Sequence, residues 1–306
     1  MSPDDVWTGR VDGTAPDQLR WHQVVTPYAP GATPGACVFV GFASDEGVRR
    51  NQGRPGAAEG PDALRRALAP MALPTPLRAC DAGTITVTDG QLEDGQRRLG
   101  DTVSALLDAG EFPVILGGGH EVAVGTYLGL AGSARRTPGS TVGILNLDAH
   151  FDLRPDPIAS SGTPFRQILA ADPDVRYAVL GISQPSNTAA LFATADRLGV
   201  RYLLDDDCAD PARVTAFVAE FLAGIDLAYL TVDLDVLPAA VAPGVSAPAA
   251  FGLALPVVQA VCDQVSASGL LAVADIAELN PGLDADGRTA RTAARLVHRL
   301  VTRRTG

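Results

Sequence analysis

Six short segments of the chain are nearly continuously apolar, and most stop abruptly at polar residues. They are 36–42, 112–116, 142–147, 177–182, 227–232 and 270–276, with a shorter one at 201–204. A strand that leaves one face in water alternates polar and apolar side chains. A continuous run must be covered on both faces. Segments of helical spacing lie between these runs. Residues 91–109, for example, carry Leu99, Val103, Leu106 and Leu107 on one side, and Pro61-Asp62 opens another helix with proline in the first turn. Further helices are expected at 122–130, 165–170, 188–198, 214–222, 256–266 and 288–303. Strand and helix in alternation predict a mostly parallel sheet with helices on both faces. Residues 1–35, rich in Pro and Gly, read as an irregular lead-in, and 44–60 as a polar loop. No linker, repeat or low-complexity tract divides the 306 residues, so 1–306 is expected to be a single α/β domain.

In parallel sheets ligands bind beyond the carboxyl ends of the strands. Three strand ends here carry metal-ligand residue types: His120 after Gly117-Gly118-Gly119; Asp148, His150 and Asp152; and Asp233 with Asp235. In extended chain, side chains two apart point the same way, so each series leaves its strand together. Four carboxylates and two imidazoles exceed the needs of one divalent ion. Two ions would offset the four negative charges, with carboxylates bridging. Oxygen-rich, thiolate-free ligation favours Mn²⁺ over Zn²⁺. Two metals a few ångström apart commonly hold a water or hydroxide nucleophile between them. Each motif alone has a plainer reading: a tight turn, a solvated loop, a strand end with capping carboxylates. Their joint occurrence at three strand ends favours the metal centre.

The net charge of −11 excludes an extended nucleic-acid footprint. All 24 basic residues are arginine, which excludes lysine-based chemistry but leaves local sites for an anionic small molecule. Cys37, Cys80, Cys208 and Cys262 are far apart and form no CxxC pair, against a zinc ribbon. Residues 1–13 contain Asp4, Asp5 and Asp12 and no apolar core of a signal peptide, and no uncharged apolar run reaches membrane-spanning length. The expectation is a cytoplasmic protein without a membrane partner.

GGGHE (117–121), DAHFD (148–152) and VDLD (232–235), in this order, resemble the metal motifs of the ureohydrolase family, which includes arginase, agmatinase and formimidoylglutamase. The resemblance covers most of the chain. It implies a three-layer α/β/α sandwich, a homo-oligomer, and two Mn²⁺ ions per subunit held by His120, Asp148, His150, Asp152, Asp233 and Asp235. Residues 44–65, 148–154, 161–169, 181–192 and 242–248 further resemble the formimidoylglutamase branch. That implies hydrolysis of N-formimidoyl-L-glutamate to L-glutamate and formamide, a step of histidine degradation, by a metal-bridging hydroxide attacking the amidine carbon. The alternatives are a guanidino substrate such as arginine, a guanidino acid or agmatine, with release of urea, or a metal-binding member without turnover. The single-zinc deacetylase branch normally carries paired histidines, which are lacking here.

In arginase a further histidine follows the central motif. Residues 153–166 contain none, and His22 and His298 are expected to be structural or surface residues. Asp152 or solvent is left for proton transfer; Asp152 would take the nucleophile's proton and hand it to the departing amine. By resemblance Glu278, in AELNP (277–281), would pair with the cationic amidine. The substrate's two carboxylates call for guanidinium partners. The candidates are Arg49, Arg50 and Arg54 in the first loop, Arg154 continuing the i+2 series, and Arg166, with Asn187 and Ser246 as polar contacts. Arginines around the site suit an anionic amidine better than cationic agmatine.

Overall fold

Nine strands pair side by side, all parallel, in the order β1-β3-β2-β4-β9-β8-β5-β6-β7 among the described residues, which in this computed structural model are 6–31, 35–73 and 75–304. The strands are β1 (Val25–Pro27), β2 (Cys37–Ala43), β3 (Ala79–Thr86), β4 (Phe112–Leu116), β5 (Val142–Leu147), β6 (Arg176–Ile182), β7 (Arg201–Leu204), β8 (Leu227–Asp233) and β9 (Leu271–Ala277). Strands β4, β5, β8 and β9 are buried throughout, as continuous apolar runs require. The chain builds β2, β3 and β4, crosses over to lay down β5, β6 and β7, then returns with β8 and β9 to fill the middle. This return makes β4, β9, β8 and β5 neighbours, so their carboxyl ends share one crevice.

Two cores lie on opposite faces of the sheet. In β2, Cys37 and Phe39 face one, while Val38, Val40 and Phe42 face the other. The first face is covered by α3 (Gly60–Leu68), α8 (Pro211–Leu222), α9 (Leu255–Ser266) and α10 (Arg288–Thr302) through residues such as Leu64, Val218, Val261 and Leu296. The second is covered by α4 (Leu92–Asp108), α5 (Val122–Gly132) and α6 (Pro164–Ala171) through Leu99, Val122 and Phe165, with α7 (Ala189–Arg197) contributing Ala195. The result is the three-layer α/β/α sandwich. Each fully buried large apolar side chain contributes about 1.5–3 kcal/mol. No helix among the described residues is long and apolar enough to cross a membrane.

The irregular lead-in needs correction. Residues 1–5 and 32–34 lie outside the described residues, Asp4 and Asp5 among them. Within the rest, α1 (Trp21–Val24) leads into β1, which pairs with β3. Trp21 is fully buried, packs at a tilt against Phe39 and donates from Nε1 to His298 Nδ1 at 3.0 Å. His22 Nδ1 lies 3.0 Å from the Ala69 carbonyl, so both histidines outside the motifs are structural. Trp7 donates to Asp81, which also takes two bonds from buried Arg65. The lead-in is therefore tied to the sheet by an aromatic pair and a buried carboxylate. The polar loop also holds α2 (Glu46–Arg50), and β3 lies where the apolar pattern gives no strand.

Candidate active site

The triple glycine after β4 is set by space. None of the three takes a left-handed backbone. A Cβ on Gly118 would sit 1.8 Å from the Ser44 carbonyl oxygen, and one on Gly117 2.7 Å from that of Ile276. Bare backbone lets Gly117 N–H donate to Ile276 O, Gly119 N–H to Ser44 O, and Glu278 N–H to Gly118 O at 2.8, 2.9 and 2.7 Å. The segment is wedged between β9 and the loop after β2, and it delivers His120 into the interior with 1% exposure.

His120 Nδ1 lies 3.1 Å from Asp148 Oδ2, 3.0 Å from Asp152 Oδ2 and 3.1 Å from Asp233 Oδ2. It makes no hydrogen bond with any of them. Its other nitrogen, Nε2, lies 3.0 Å from Thr231 Oγ1. His150 Nδ1 lies 3.0 Å from Asp235 Oδ2 and 3.5 Å from Asp148 Oδ1. Two clusters with donor atoms within 4.8 Å result, His120–Asp148–Asp233 and Asp148–His150–Asp235, and Asp148 belongs to both.

The trio converges, but strand alternation is not the cause. β5 ends at Leu147, and the chain turns at once. Asp148 Oδ1 accepts the His150 N–H at 2.7 Å, and Asp233 Oδ1 accepts the Asp235 N–H at 2.8 Å. Each leading aspartate thus folds the backbone that carries its companion, as aspartates do in turns. Asp152 reaches the cluster only by a left-handed backbone, φ 50°. Glu278, at φ 71°, accepts the His120 N–H at 2.8 Å. Of five non-glycine described residues with positive φ, three, Gln52, Asp152 and Glu278, line the cavity over this cluster. Backbone strain concentrated in one crevice is a mark of a functional site.

Charge is crowded here. Burial, with Asp148 nearby, raises the Asp152 carboxyl to about 6. Burial followed by repulsion from Glu121 raises Glu278 to about 8. Burial and the neighbouring carboxylates push Asp233 well up, and burial raises Asp235. Burial also works to raise Asp148, but His120 and His150 outweigh it and hold this carboxyl well below its usual range. Burial opposes protonation of His120 and His150, and the surrounding carboxylates override it. Four carboxylates and two imidazoles, one of them with an inward-facing nitrogen that makes no hydrogen bond, form a donor set that fits two divalent cations of the oxygen- and imidazole-preferring kind.

The overlying cavity is about 370 Å³. Arg154 lines it, and its guanidinium makes no hydrogen bond among the described residues. Arg54 also lines it, with Nε donating to Ser246 O at 2.9 Å and Nη2 to Val245 O at 2.7 Å, which leaves Nη1 without a partner among the described residues. Ser246 Oγ, at the wall, accepts the Arg54 N–H at 2.8 Å. Asn187 reaches the cavity but its amide is spent: it accepts from Phe151 N and donates to Ala149 O and Ser183 O. It braces the Asp148–Asp152 turn. Arg49 is exposed and held by Glu46 outside the cavity; Arg50 bonds Glu46 and Glu93, and Arg166 does not line the cavity. A larger cleft of about 620 Å³ opens at the other end of β5 and β6 and holds none of these residues.

Sequence reasoning passed over Asn146 and Thr231, polar residues inside apolar runs. Asn146 Nδ2 donates to Asp148 Oδ2 at 3.0 Å and lies 3.0 Å from the Tyr177 hydroxyl. Asn51 and Ser161, bonded at 3.1 Å, complete the wall beside Arg154. A polar residue two places before a ligand, in a strand with no solvent-facing side, is the available signal.

The Arginase family model matches residues 35–302. Formimidoylglutamase of Nocardia farcinica is 75% identical over 304 residues, covering 99% of this chain and 98% of that protein. Formimidoylglutamase of Rhodococcus opacus is 67% identical over 310 residues, covering 99% and 97%. Among solved structures, formiminoglutamase of Trypanosoma cruzi with Mn²⁺ superposes with a TM-score of 0.80 at 28% identity, covering 89% of this chain and 95% of that one. A match that takes in β2 to β9, both helical layers and every strand end of the crevice leaves one conclusion: the chain belongs to the arginase family.

Proposed function

We propose that this chain hydrolyses N-formimidoyl-L-glutamate to L-glutamate and formamide at a centre of two Mn²⁺ ions. The observation that carries the reading is the pair of donor clusters joined through Asp148, with His120 Nδ1 turned into three carboxylates it does not hydrogen-bond. His120, Asp148, Asp152 and Asp233 would hold one ion, and Asp148, His150 and Asp235 the other. When bound, the ions supply Lewis acidity and lower the pKa of the attacking water. The substrate class follows from the relatives and from two arginines with unused donors at the cavity wall.

In the reaction, water oxygen bonds to the amidine carbon. The bond from that carbon to the glutamate nitrogen breaks, and the nitrogen departs with an added proton. The remaining carbon, oxygen and nitrogen leave as formamide. Asp152, which lines the cavity with Oδ2 3.0 Å from His120 Nδ1, is placed to move that proton. Glu278 faces the same space and would pair with the amidinium. Arg154 and Nη1 of Arg54 would take the two carboxylates. The same reading takes 1–306 as one domain, in the cytoplasm, assembled as a homo-oligomer, which sedimentation velocity would check.

The test is an assay of Mn²⁺-reconstituted protein with N-formimidoyl-L-glutamate, L-arginine and agmatine, scoring formamide, glutamate and urea separately. Formamide and glutamate from the first substrate alone are expected. Urea from a guanidino compound would keep the centre and overturn the substrate.

A further inference from the structure

Three loops that build the cavity wall meet at one buried amide outside it. Asn280 lies two residues past Glu278, is 1% exposed and does not line the cavity. Its Nδ2 donates to Arg54 O at 3.1 Å and to Pro55 O at 3.0 Å. Its Oδ1 accepts the Gly282 N–H at 3.1 Å, and its own N–H donates to Gly244 O at 2.8 Å. One residue thus joins the segment after β9 to the loop of Arg54 and to the loop of Val245 and Ser246, whose carbonyls bond the Arg54 guanidinium. Gly56 completes the junction. Its φ is 134°, a Cβ there would sit 2.5 Å from Asn280 Oδ1, and its N–H donates to Asp45 Oδ2 at 2.6 Å, closing the segment 45–56 on itself.

The two sides of the junction are not held alike. Glu278 is anchored without the Asn280 side chain: its N–H donates to Gly118 O, and its carboxylate accepts the His120 N–H. The backbone of Arg54 and Pro55 is loop, and the two Asn280 donations fasten its carbonyls to the end of β9. Two donors and one acceptor on a short side chain are what an amide supplies. We propose that Asn280 is a positioning residue that holds the Arg54 guanidinium at a set distance from the Glu278 carboxylate, so that one substrate molecule meets both, and that it governs substrate affinity through Arg54. This rests on the reading above, in which Arg54 takes a substrate carboxylate and Glu278 pairs with the amidinium.

The test is steady-state kinetics of Mn²⁺-loaded protein on N-formimidoyl-L-glutamate, with bound Mn²⁺ and melting temperature measured alongside. Asn280→Asp keeps the shape and the acceptor for Gly282 but turns a carboxylate on the two carbonyls. It is expected to raise KM roughly ten- to a hundredfold, with kcat and bound Mn²⁺ retained. Arg54→Ala should raise KM by a similar factor. The double variant should be no worse than the larger single effect, because a residue that acts through Arg54 then has nothing left to act on. With Arg154→Ala the effects should multiply. Trp21→Phe, a buried change far from the cavity, shows how much KM moves with lost stability alone. If Asn280→Asp lowers only the melting temperature, lowers kcat at unchanged KM, or multiplies with Arg54→Ala, the proposal fails. Should Asn280→Asp not fold, Asn280→Ala, which removes the donors without adding charge, takes its place in each comparison. An unsubstituted chain that does not turn over this substrate would overturn the proposed function and this inference with it. Turnover with a KM that Arg54→Ala leaves unchanged would overturn the inference alone.

Discussion

Glu278 and Arg154 meet the same cavity with opposite demands. Glu278 is buried, left-handed and bonded to the His120 backbone, so its carboxylate is fixed before any substrate arrives. A partner held in place for the amidinium keeps the amidine carbon oriented for attack, which acts on the chemical step more than on binding. Glu278→Gln is expected to lower kcat about 10²–10³-fold with a small change in KM, read from steady-state kinetics on N-formimidoyl-L-glutamate. The Arg154 side chain is exposed, makes no hydrogen bond among the described residues, and would lose mobility only on binding. A charge-assisted hydrogen bond contributes about 1.5–3 kcal/mol, so Arg154→Ala should raise KM roughly ten- to a hundredfold and leave kcat nearly unchanged. Arg49→Ala, on a residue occupied by Glu46 outside the cavity, should change neither constant. A large KM effect there would mean that the first loop refolds over the bound substrate.

At the scale of elements, the sheet registers the site. Gly118 is the position where a side chain is least tolerable, since its Cβ would meet the Ser44 carbonyl. Gly118→Ala is expected to cost at least about 1–3 kcal/mol and to reduce Mn²⁺ retention, measured by denaturant melts and metal analysis. Gly132→Ala, at the end of α5 where a Cβ would meet only Ser104 Oγ at 3.8 Å, should be neutral or slightly stabilising. The elements that hold the site were legible because continuous apolar strands ending in Asp and His have few alternatives. What was not legible came from other physics. β3 pairs on both edges yet leaves the face of its second half partly in water, so Gly83-Thr84-Ile85-Thr86 reads as loop unless its β-branched content is weighed. The turns at Asp148 and Asp233 depend on side chain bonding backbone, which an extended-strand rule cannot anticipate. Arg49, Arg50 and Arg54 follow one another closely in sequence, and only their carboxylate and carbonyl partners decide which one reaches the cavity.

For the whole molecule, the crowded centre predicts how stability depends on pH. His120 and His150 are raised well above 6.5, Asp152 to about 6, Glu121 to about 7 and Glu278 to about 8. A group with a raised folded-state pKa binds its proton more tightly when folded. Its contribution is complete below the unfolded value and fades as pH rises through the folded one. Metal-free protein should therefore melt at progressively lower temperature as pH rises from about 6 to 8. Saturating Mn²⁺ should raise the melting temperature and flatten that decline, because the ions replace the protons. Chelation with EDTA should abolish turnover, and Mn²⁺ should restore it. Scanning fluorimetry from pH 5 to 9, with EDTA or with Mn²⁺, checks the first two. A melting temperature that climbs with pH in EDTA would contradict the charge arrangement.

The four cysteines are all free and buried, so no disulfide spans the fold. Yet the donors to the centre come from β4, β5 and β8, between His120 and Asp235, and Asp148 is common to both clusters. A loaded centre would act as a clasp, pinning three strands laid down at different stages of the chain where their ends would otherwise be free to splay. Closing long loops is what a covalent cross-link does for a small secreted protein. Here the same mechanical service would come from the catalytic ions, and a chain stripped of them would fray first at the mouth of its own active site.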